Sequence, residues 1–305
     1  MTDLIQQLAT FPADSPLQRL TNPFPEPVPI RLYLKRDDRL HPRVSGNKWR
    51  KLKYNLPAAR EQGYGTLLTF GGAYSNHLYA TAAAGREFGF QTIGVVRGDE
   101  LASQPRNPTL TFCESCGMHL HFVSRADYRR KDEPESLADL TRRFGRCYVL
   151  PEGGSNDLAM QGTAEIMPEV VAQLGASPDY VACPVGTGST LMGIAATAPP
   201  DTKVLGFGVL TGAANLPLLR AMPAGGLGGA WPVFDYALGG YAKTTPELLA
   251  FISTFERQTG VLLEQVYTGK MLYGLYDLAR RGYFPEDATV VAVHTGGLQG
   301  RSGVD

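Results

Sequence analysis

The sequence is short of several things, and each shortage removes a class of explanation. Its 305 residues hold four cysteines, too few at this length for a disulfide scaffold. Lys plus Arg and Asp plus Glu stand at 29 each, so no basic excess exists to draw nucleic acid or an anionic membrane. No window approaches the roughly 18–20 apolar residues that a membrane helix needs. The start, Met1-Thr-Asp-Leu-Ile-Gln-Gln7, lacks the basic and apolar regions of a secretory signal. Also missing are the lysine of a Walker loop, the G-x-G-x-x-G of a dinucleotide fold and the G-x-S-x-G elbow of a hydrolase. The absences describe a soluble, reduced, cytoplasmic protein with no nucleic-acid or membrane partner.

Glycine is plentiful at 35 residues, which points to tight turns and close backbone approach to a ligand. Apolar residues at 43% and charged residues at 19% suit a folded globular chain. At roughly 100–200 residues per domain, the length predicts two domains or one large α/β unit. After a Pro-rich lead from Phe11 to Pro29, short apolar runs alternate with helical stretches. The runs predict strands over Ile30–Lys35, Thr66–Phe70, Thr92–Arg97, Met118–Val123, Cys147–Leu150, Tyr180–Pro184, Val204–Leu210 and Thr289–His294. Helices are predicted over Lys48–Gln62, Asn76–Phe88, Asn107–Cys116, Glu135–Phe144, Asp157–Leu174, Ser189–Thr197, Thr245–Gln258 and Gly269–Arg281. Strand then helix, repeated, is the pattern of a mostly parallel sheet, in which ligands gather at the carboxyl ends of strands. Glycine loops follow three of those ends, at Gly71-Gly72, Gly186-Thr-Gly188 and Gly296-Gly297. The stretch 224–230 reads as a flexible loop, and a soft boundary falls near Pro151-Glu-Gly-Gly154.

Three segments carry groups fit for chemistry. The loop Gly186-Thr187-Gly188-Ser189-Thr190 opens a helix with converging N–H groups, hydroxyls and a dipole, an arrangement suited to an anion; an unliganded turn is its plain alternative. Lys48 follows Gly46-Asn47 at a helix start, where the positive end of the dipole favours the free amine that condenses with an aldehyde. A solvated basic face over Lys48 to Lys53 is the alternative there. The loop Gly71-Gly-Ala-Tyr-Ser75-Asn76-His77 offers a hydroxyl, an amide and an imidazole; Ser75 serves either as an N-cap or also as part of a carboxylate-binding nest. Cys113, Cys116, His119 and His121 lack the long insert between ligand pairs that structural zinc sites show, so no metal is assigned.

In order along the chain, Lys35-Arg-Asp-Asp38, Ser45-Gly-Asn-Lys-Trp-Arg-Lys-Leu52, Gly71-Gly-Ala-Tyr-Ser-Asn-His77, Gly186-Thr-Gly-Ser-Thr190, Val266-Tyr-Thr-Gly-Lys270 and His294-Thr-Gly-Gly297 form a set. The set resembles the pyridoxal-phosphate (PLP) enzymes of the tryptophan-synthase-β-like fold, fold type II. Within it, the match is to the group of 1-aminocyclopropane-1-carboxylate deaminase and D-cysteine desulfhydrase. The resemblance implies an α/β fold of two domains, each a mostly parallel twisted sheet flanked by helices. Residues 1–50 and 158–305 would form the large PLP-binding domain, with 51–157 as a small inserted one. It further implies that Lys48 carries PLP as a Schiff base and moves protons, and that Gly186, Thr187, Gly188, Ser189 and Thr190 hold its phosphate. Asn76 would bond the phenolic oxygen of PLP, while Thr268 and Thr295 line the pyridine nitrogen. Ser75, Asn76 and His77 would hold the substrate, with Ser75, Tyr241 and Tyr267 joining Lys48 as catalytic groups. A homodimer is implied by the same likeness.

The implied reaction is β-elimination from a small amino acid, releasing sulfide and an aminoacrylate that hydrolyses to keto acid and ammonia. Thr268, where the deaminases carry glutamate, and His77, where they tend to carry glutamine, both point to a desulfhydrase. Cyclopropane ring opening, racemisation and β-replacement on the same fold stay open. So does a different class, an α/β protein that binds a phosphometabolite without PLP. Ala73-Tyr74 and Leu298-Gln299 depart from the family pattern, and Tyr74 adds bulk beside the carboxylate loop.

Overall fold

Residues 180–185 and 288–293 are buried along their whole length, as central strands covered on both faces must be. The computed structural model describes residues 2–12, 14–44, 46–212 and 232–301; Ser45 and the glycine-rich stretch 224–230 lie outside the described residues. The strands are β1 (Leu17–Leu20), β2 (Ile30–Lys35), β3 (Thr66–Gly71), β4 (Gln91–Arg97), β5 (Met118–Val123), β6 (Tyr148–Leu150), β7 (Tyr180–Val185), β8 (Lys203–Gly208), β9 (Val233–Asp235) and β10 (Ala288–Val293). They form two sheets, ordered β1-β2-β10-β7-β8-β9 and β5-β4-β3-β6. Every described pairing is parallel except β1 with β2, which run antiparallel from Leu17–Lys35 to Leu20–Leu32.

Side chains alternate across each sheet with period two, and each face finds its own helices. In the six-stranded sheet, Val290 and Ala292 pack with Leu248, Phe251 and Leu272, whereas Val291 and Val293 pack with Ile166, Leu191 and Ile194. In the four-stranded sheet, Val96 joins Leu78 and Leu110, while Val95 joins Leu68, Phe70 and Tyr128. Each fully buried aliphatic or aromatic side chain contributes about 1.5–3 kcal/mol, so both layers are held mainly by burial.

The chain forms two compact units, one of Met1–Pro12, His41–Val44 and Lys48–Gly162, the other of Ala13–Leu40, Ser45–Asn47 and Thr163–Asp305. This division differs from the sequence-based one, which kept residues 1–50 together. The reason is an aromatic cluster in the first unit: Phe11 sits 4.4 Å from His41, 5.0 Å from Trp49 and 5.8 Å from Phe88, between ring centroids. Two predicted helices are each broken in two. The helix over 48–62 separates into Asn47–Lys53 and Asn55–Glu61, and that over 157–174 into Asp157–Ala164 and Ile166–Leu174. Pro57 and Pro168 are the cause, because neither has the N–H that would bond the carbonyl four residues back. The carbonyl of Ala164 is taken up by the Thr197 hydroxyl at 2.7 Å. Among the described residues, no helix is long and apolar enough to cross a membrane.

Candidate active site

In the first unit, Lys48 is the second residue of helix Asn47–Lys53 and is half-buried. Lys51, one turn on, is buried and donates from Nζ to the Gly153 carbonyl at 2.9 Å. Ser75 is the N-cap of helix Asn76–Phe88: its Oγ accepts from the His77 and Leu78 amides, both at 3.2 Å. The cap therefore consumes two amides that a carboxylate nest would need and leaves the Ser75 hydroxyl proton as the donor. The loop before it is fixed from outside. Ser75 N donates to Gly72 O at 3.0 Å, and Asn107, itself the N-cap of helix Pro108–Ser115, donates from Nδ2 to Ala73 O at 3.0 Å. Tyr74 is 58% exposed on that loop.

His77 is buried against Gly154, and neither ring nitrogen has a hydrogen-bond partner among the described residues. Burial first, then the Lys48 and Lys51 ammonium groups, hold its pKa well below the ordinary value of 6.5. Folded His77 is thus a neutral imidazole and supplies a neutral donor or acceptor, never a cation, at neutral pH. The unfolded chain binds the proton that the folded site refuses. Stability is then fully present above pH 6.5 and falls as pH drops through that value, with a limiting slope of about 1.4 kcal/mol per pH unit for one proton. Urea denaturation between pH 7 and 5 should show this slope reduced by one proton in His77→Gln, with the contributions of His41 and His121, shifted the same way, remaining. An unchanged slope would assign the proton to another group.

In the second unit, Gly186 to Thr190 joins β7 to helix Ser189–Thr197. Gly188 holds the N-cap position with φ +94° and has no side chain with which to cap the helix, whose first turn carries no acid. Such an end presents N–H groups and a positive dipole to an anion. Around it, Asn47 Nδ2 donates to Thr190 Oγ1 at 2.9 Å, Asn47 N donates to Thr295 O at 3.2 Å, and Thr163 Oγ1 donates to Ser189 O at 3.3 Å. A Cβ on Gly186 would stand 3.2 Å from Tyr267 Cε1, so the tyrosine ring covers the loop.

Tyr267 and Thr268 open helix Thr268–Arg280 and are set by a buried acid that sequence reasoning missed. Glu264 accepts from the amides of Val266 at 2.7 Å, Tyr267 at 2.8 Å and Thr268 at 2.5 Å, and from the Thr268 hydroxyl at 3.0 Å. Burial raises its pKa, opposed by those hydrogen bonds. An acid just ahead of a helix start was the available signal. Beyond β10, His294 donates from Nε2 to Leu262 O at 2.8 Å and accepts from the Gly296 amide at 3.3 Å on Nδ1, which pins the Thr295–Gly296 turn. Asp38 stands 3.5 Å from that ring. Burial would raise its carboxyl, but the Arg36 hydrogen bonds, the nearby His294 ring and the Arg36 charge outweigh it and leave the pKa lowered. Tyr241 lies on an exposed loop after β9. The second unit holds Gly186–Thr190, Asn47, Tyr267, Thr268 and Thr295, and the first holds Lys48, Ser75, Asn76 and His77.

A family model described as pyridoxal-phosphate dependent enzyme matches residues 8–296. The bifunctional D-cysteine desulfhydrase/1-aminocyclopropane-1-carboxylate deaminase of Arabidopsis thaliana is 32% identical over 300 residues, covering 90% of this chain and 74% of the relative. The D-cysteine desulfhydrase of Serratia proteamaculans is 29% identical over 333 residues, covering 97% and 96%. Among solved structures, that of an ACC deaminase homologue superposes with a TM-score of 0.78 at 28% identity, over 98% of this chain and 96% of the other.

Proposed function

We propose that this chain, which belongs to the pyridoxal-phosphate-dependent enzymes, is a lyase that removes the β-substituent of a small amino acid, D-cysteine foremost, to give keto acid, ammonia and sulfide. The observation that carries the reading is the glycine-started helix end at Gly188, tied through Thr190 to Asn47, the covalent neighbour of Lys48. A phosphate fits that end: the donors are amides and hydroxyls, and the first turn has no acid to repel a dianion. Gly186 keeps the approach open, since a side chain there would press on Tyr267.

When bound, pyridoxal phosphate supplies the electron sink that lets the Cα–H bond of an amino acid break. The roles of the protein's own groups follow from their chemistry. Lys48 Nζ is the amine that would hold the cofactor's carbonyl carbon and then accept the Cα proton. Gly186, Thr187, Gly188, Ser189 and Thr190 would bind its phosphate, the Asn76 amide its phenolic oxygen, and Thr268 and Thr295 the pyridine side. The Ser75 hydroxyl, free of any need to serve as donor in its own cap, would bond the substrate carboxylate, with Asn76 and neutral His77 beside it. The Tyr267 and Tyr241 phenols would protonate the departing sulfur.

Substrate choice rests on two features. Thr268 adds no charge of its own where the deaminases carry an acid, and its hydroxyl proton goes to Glu264. Hydrosulfide, a far weaker base than a carbanion, departs from the β-carbon without the strong assistance that a ring carbon needs. The sulfur-releasing reading also agrees with the names of the Arabidopsis and Serratia relatives. Ring opening of 1-aminocyclopropane-1-carboxylate is the second reading, favoured by the shared name of the Arabidopsis protein. We further propose a cytoplasmic homodimer, which the four free cysteines support as regards a reducing compartment.

Purified protein loaded with PLP should release sulfide from D-cysteine faster than from L-cysteine, and faster than it yields ketobutyrate from the cyclopropane substrate. Faster ketobutyrate would exchange the two readings. No product from any of the three would overturn both.

A further inference from the structure

The segment after β9 is bent into an unusual shape. Leu238, Gly239, Gly240 and Ala242 take φ of +48°, +91°, +116° and +55°, so two residues with side chains occupy the left-handed region. Such a run persists only where its surroundings over-determine it. Two consecutive turns build it: Gly240 N donates to Ala237 O at 3.0 Å, and Lys243 N to Gly240 O at 3.2 Å. The same two carbonyls converge on one cation. Lys270 Nζ donates to Ala237 O at 2.6 Å and to Gly240 O at 2.8 Å.

Lys270 is fully buried and sits in the first turn of helix Thr268–Arg280, where the dipole disfavours a cation. Glu264, which accepts from the Tyr267 and Thr268 amides at that helix start, lies close enough to offset part of that repulsion. A buried ammonium at the wrong end of a helix violates a local rule, and the two carbonyls are the compensation. Between the clamped Gly240 and the left-handed Ala242 stands Tyr241, 42% exposed, its backbone held on both sides by the loop.

We propose that Lys270 is a positioning residue: it locks the 237–242 loop to the helix that begins beside Tyr267, and thereby fixes the Tyr241 phenol for the elimination. The proposal rests on the reading of Tyr241 as an active-site phenol given above. A phenol displaced by about 1 Å loses roughly 100-fold in rate.

The test uses PLP-loaded protein and a double-mutant cycle on D-cysteine. Lys270→Met should lower kcat about 100-fold with KM changed less than about threefold, because the loss is in placement rather than substrate binding. In a Tyr241→Phe background the same substitution should change kcat less than about twofold, since the phenol it positions is gone. Hydrogen exchange of the 236–243 amides, measured without PLP, should accelerate in Lys270→Met. Additive losses in the cycle, or unchanged exchange, overturn the role of Lys270 while leaving Tyr241 intact. Wild-type kcat in Tyr241→Phe overturns the phenol reading, and with it this role. Should Lys270→Met fail to fold, Lys270→Arg keeps the charge on a planar fork that matches two converging carbonyls poorly, and the same cycle applies to it.

Discussion

Lys48→Ala is expected to lose activity by about four orders of magnitude or more, the scale seen when a covalent group of a catalytic unit is removed. The amine is the one group in the proposed reaction that both carries the cofactor and takes the Cα proton, so no neighbour replaces it. Lys51 is near in sequence, but its ammonium is buried against the Gly153 carbonyl. The fold should survive, because Lys48 is half-buried and truncating such a side chain costs about 1 kcal/mol or less. Absorption spectra check this directly. Wild-type protein mixed with PLP should be yellow and keep the cofactor through dialysis after borohydride treatment, with mass added on the peptide that holds Lys48. Lys48→Ala should show neither the visible band nor the added mass. A yellow, borohydride-fixed variant would move the attachment to another lysine and dissolve the proposed assignment.

Gly46→Ala should be nearly as damaging, for a reason of packing rather than chemistry. Gly46 has φ +64°, and a Cβ there would stand 1.8 Å from Thr295 O, 2.4 Å from Thr295 C and 2.8 Å from Gly296 N. All three are backbone atoms, and the turn they belong to is pinned by His294. Left-handed strain of about 1–2 kcal/mol adds to an overpacking cost of about 1–3 kcal/mol, for a loss of roughly 2–5 kcal/mol. The displaced backbone includes Asn47, whose amide and side chain bond Thr295 and Thr190. Cofactor affinity should therefore fall together with stability. Gly63→Ala is the control: its φ is +74°, but a Cβ meets nothing within 4 Å. It should cost about 1–2 kcal/mol from strain alone and bind PLP normally. Urea midpoints and PLP titration separate the two variants, and equal behaviour would show that the close approach to Thr295 is relieved at no cost.

Much of the fold was readable because its signals are local. The all-apolar runs at β7 and β10, the Ser75 cap and the glycines after β3, β7 and β10 each carry their meaning within a few residues. Pro57 and Pro168 were also local signals, and the two helix breaks they cause were legible though unread. The short edge strands β1 and β9 were not legible. Four and three residues with half-buried side chains have no period to detect, and pairing with β2 and β8 is what makes them strands.

The sequence by itself determined which residue types stand where: an amine after Gly-Asn, a hydroxyl-rich glycine turn at a helix start, and the ordered set of motifs that marks a PLP enzyme. Only the tertiary structure decided how they are held. Asn47 meets Thr190 across 143 residues, Lys270 meets Ala237 across 33, and Gly46 meets Thr295 from the other end of the chain. The physical reason is that a hydrogen bond or a steric limit acts over about 3 Å of space, and a linear sequence records no distance between residues that folding brings together. Helix caps and strand periods repeat along the chain and can be read there. The groups that aim an amine or a phenol come from wherever the sheets deliver them.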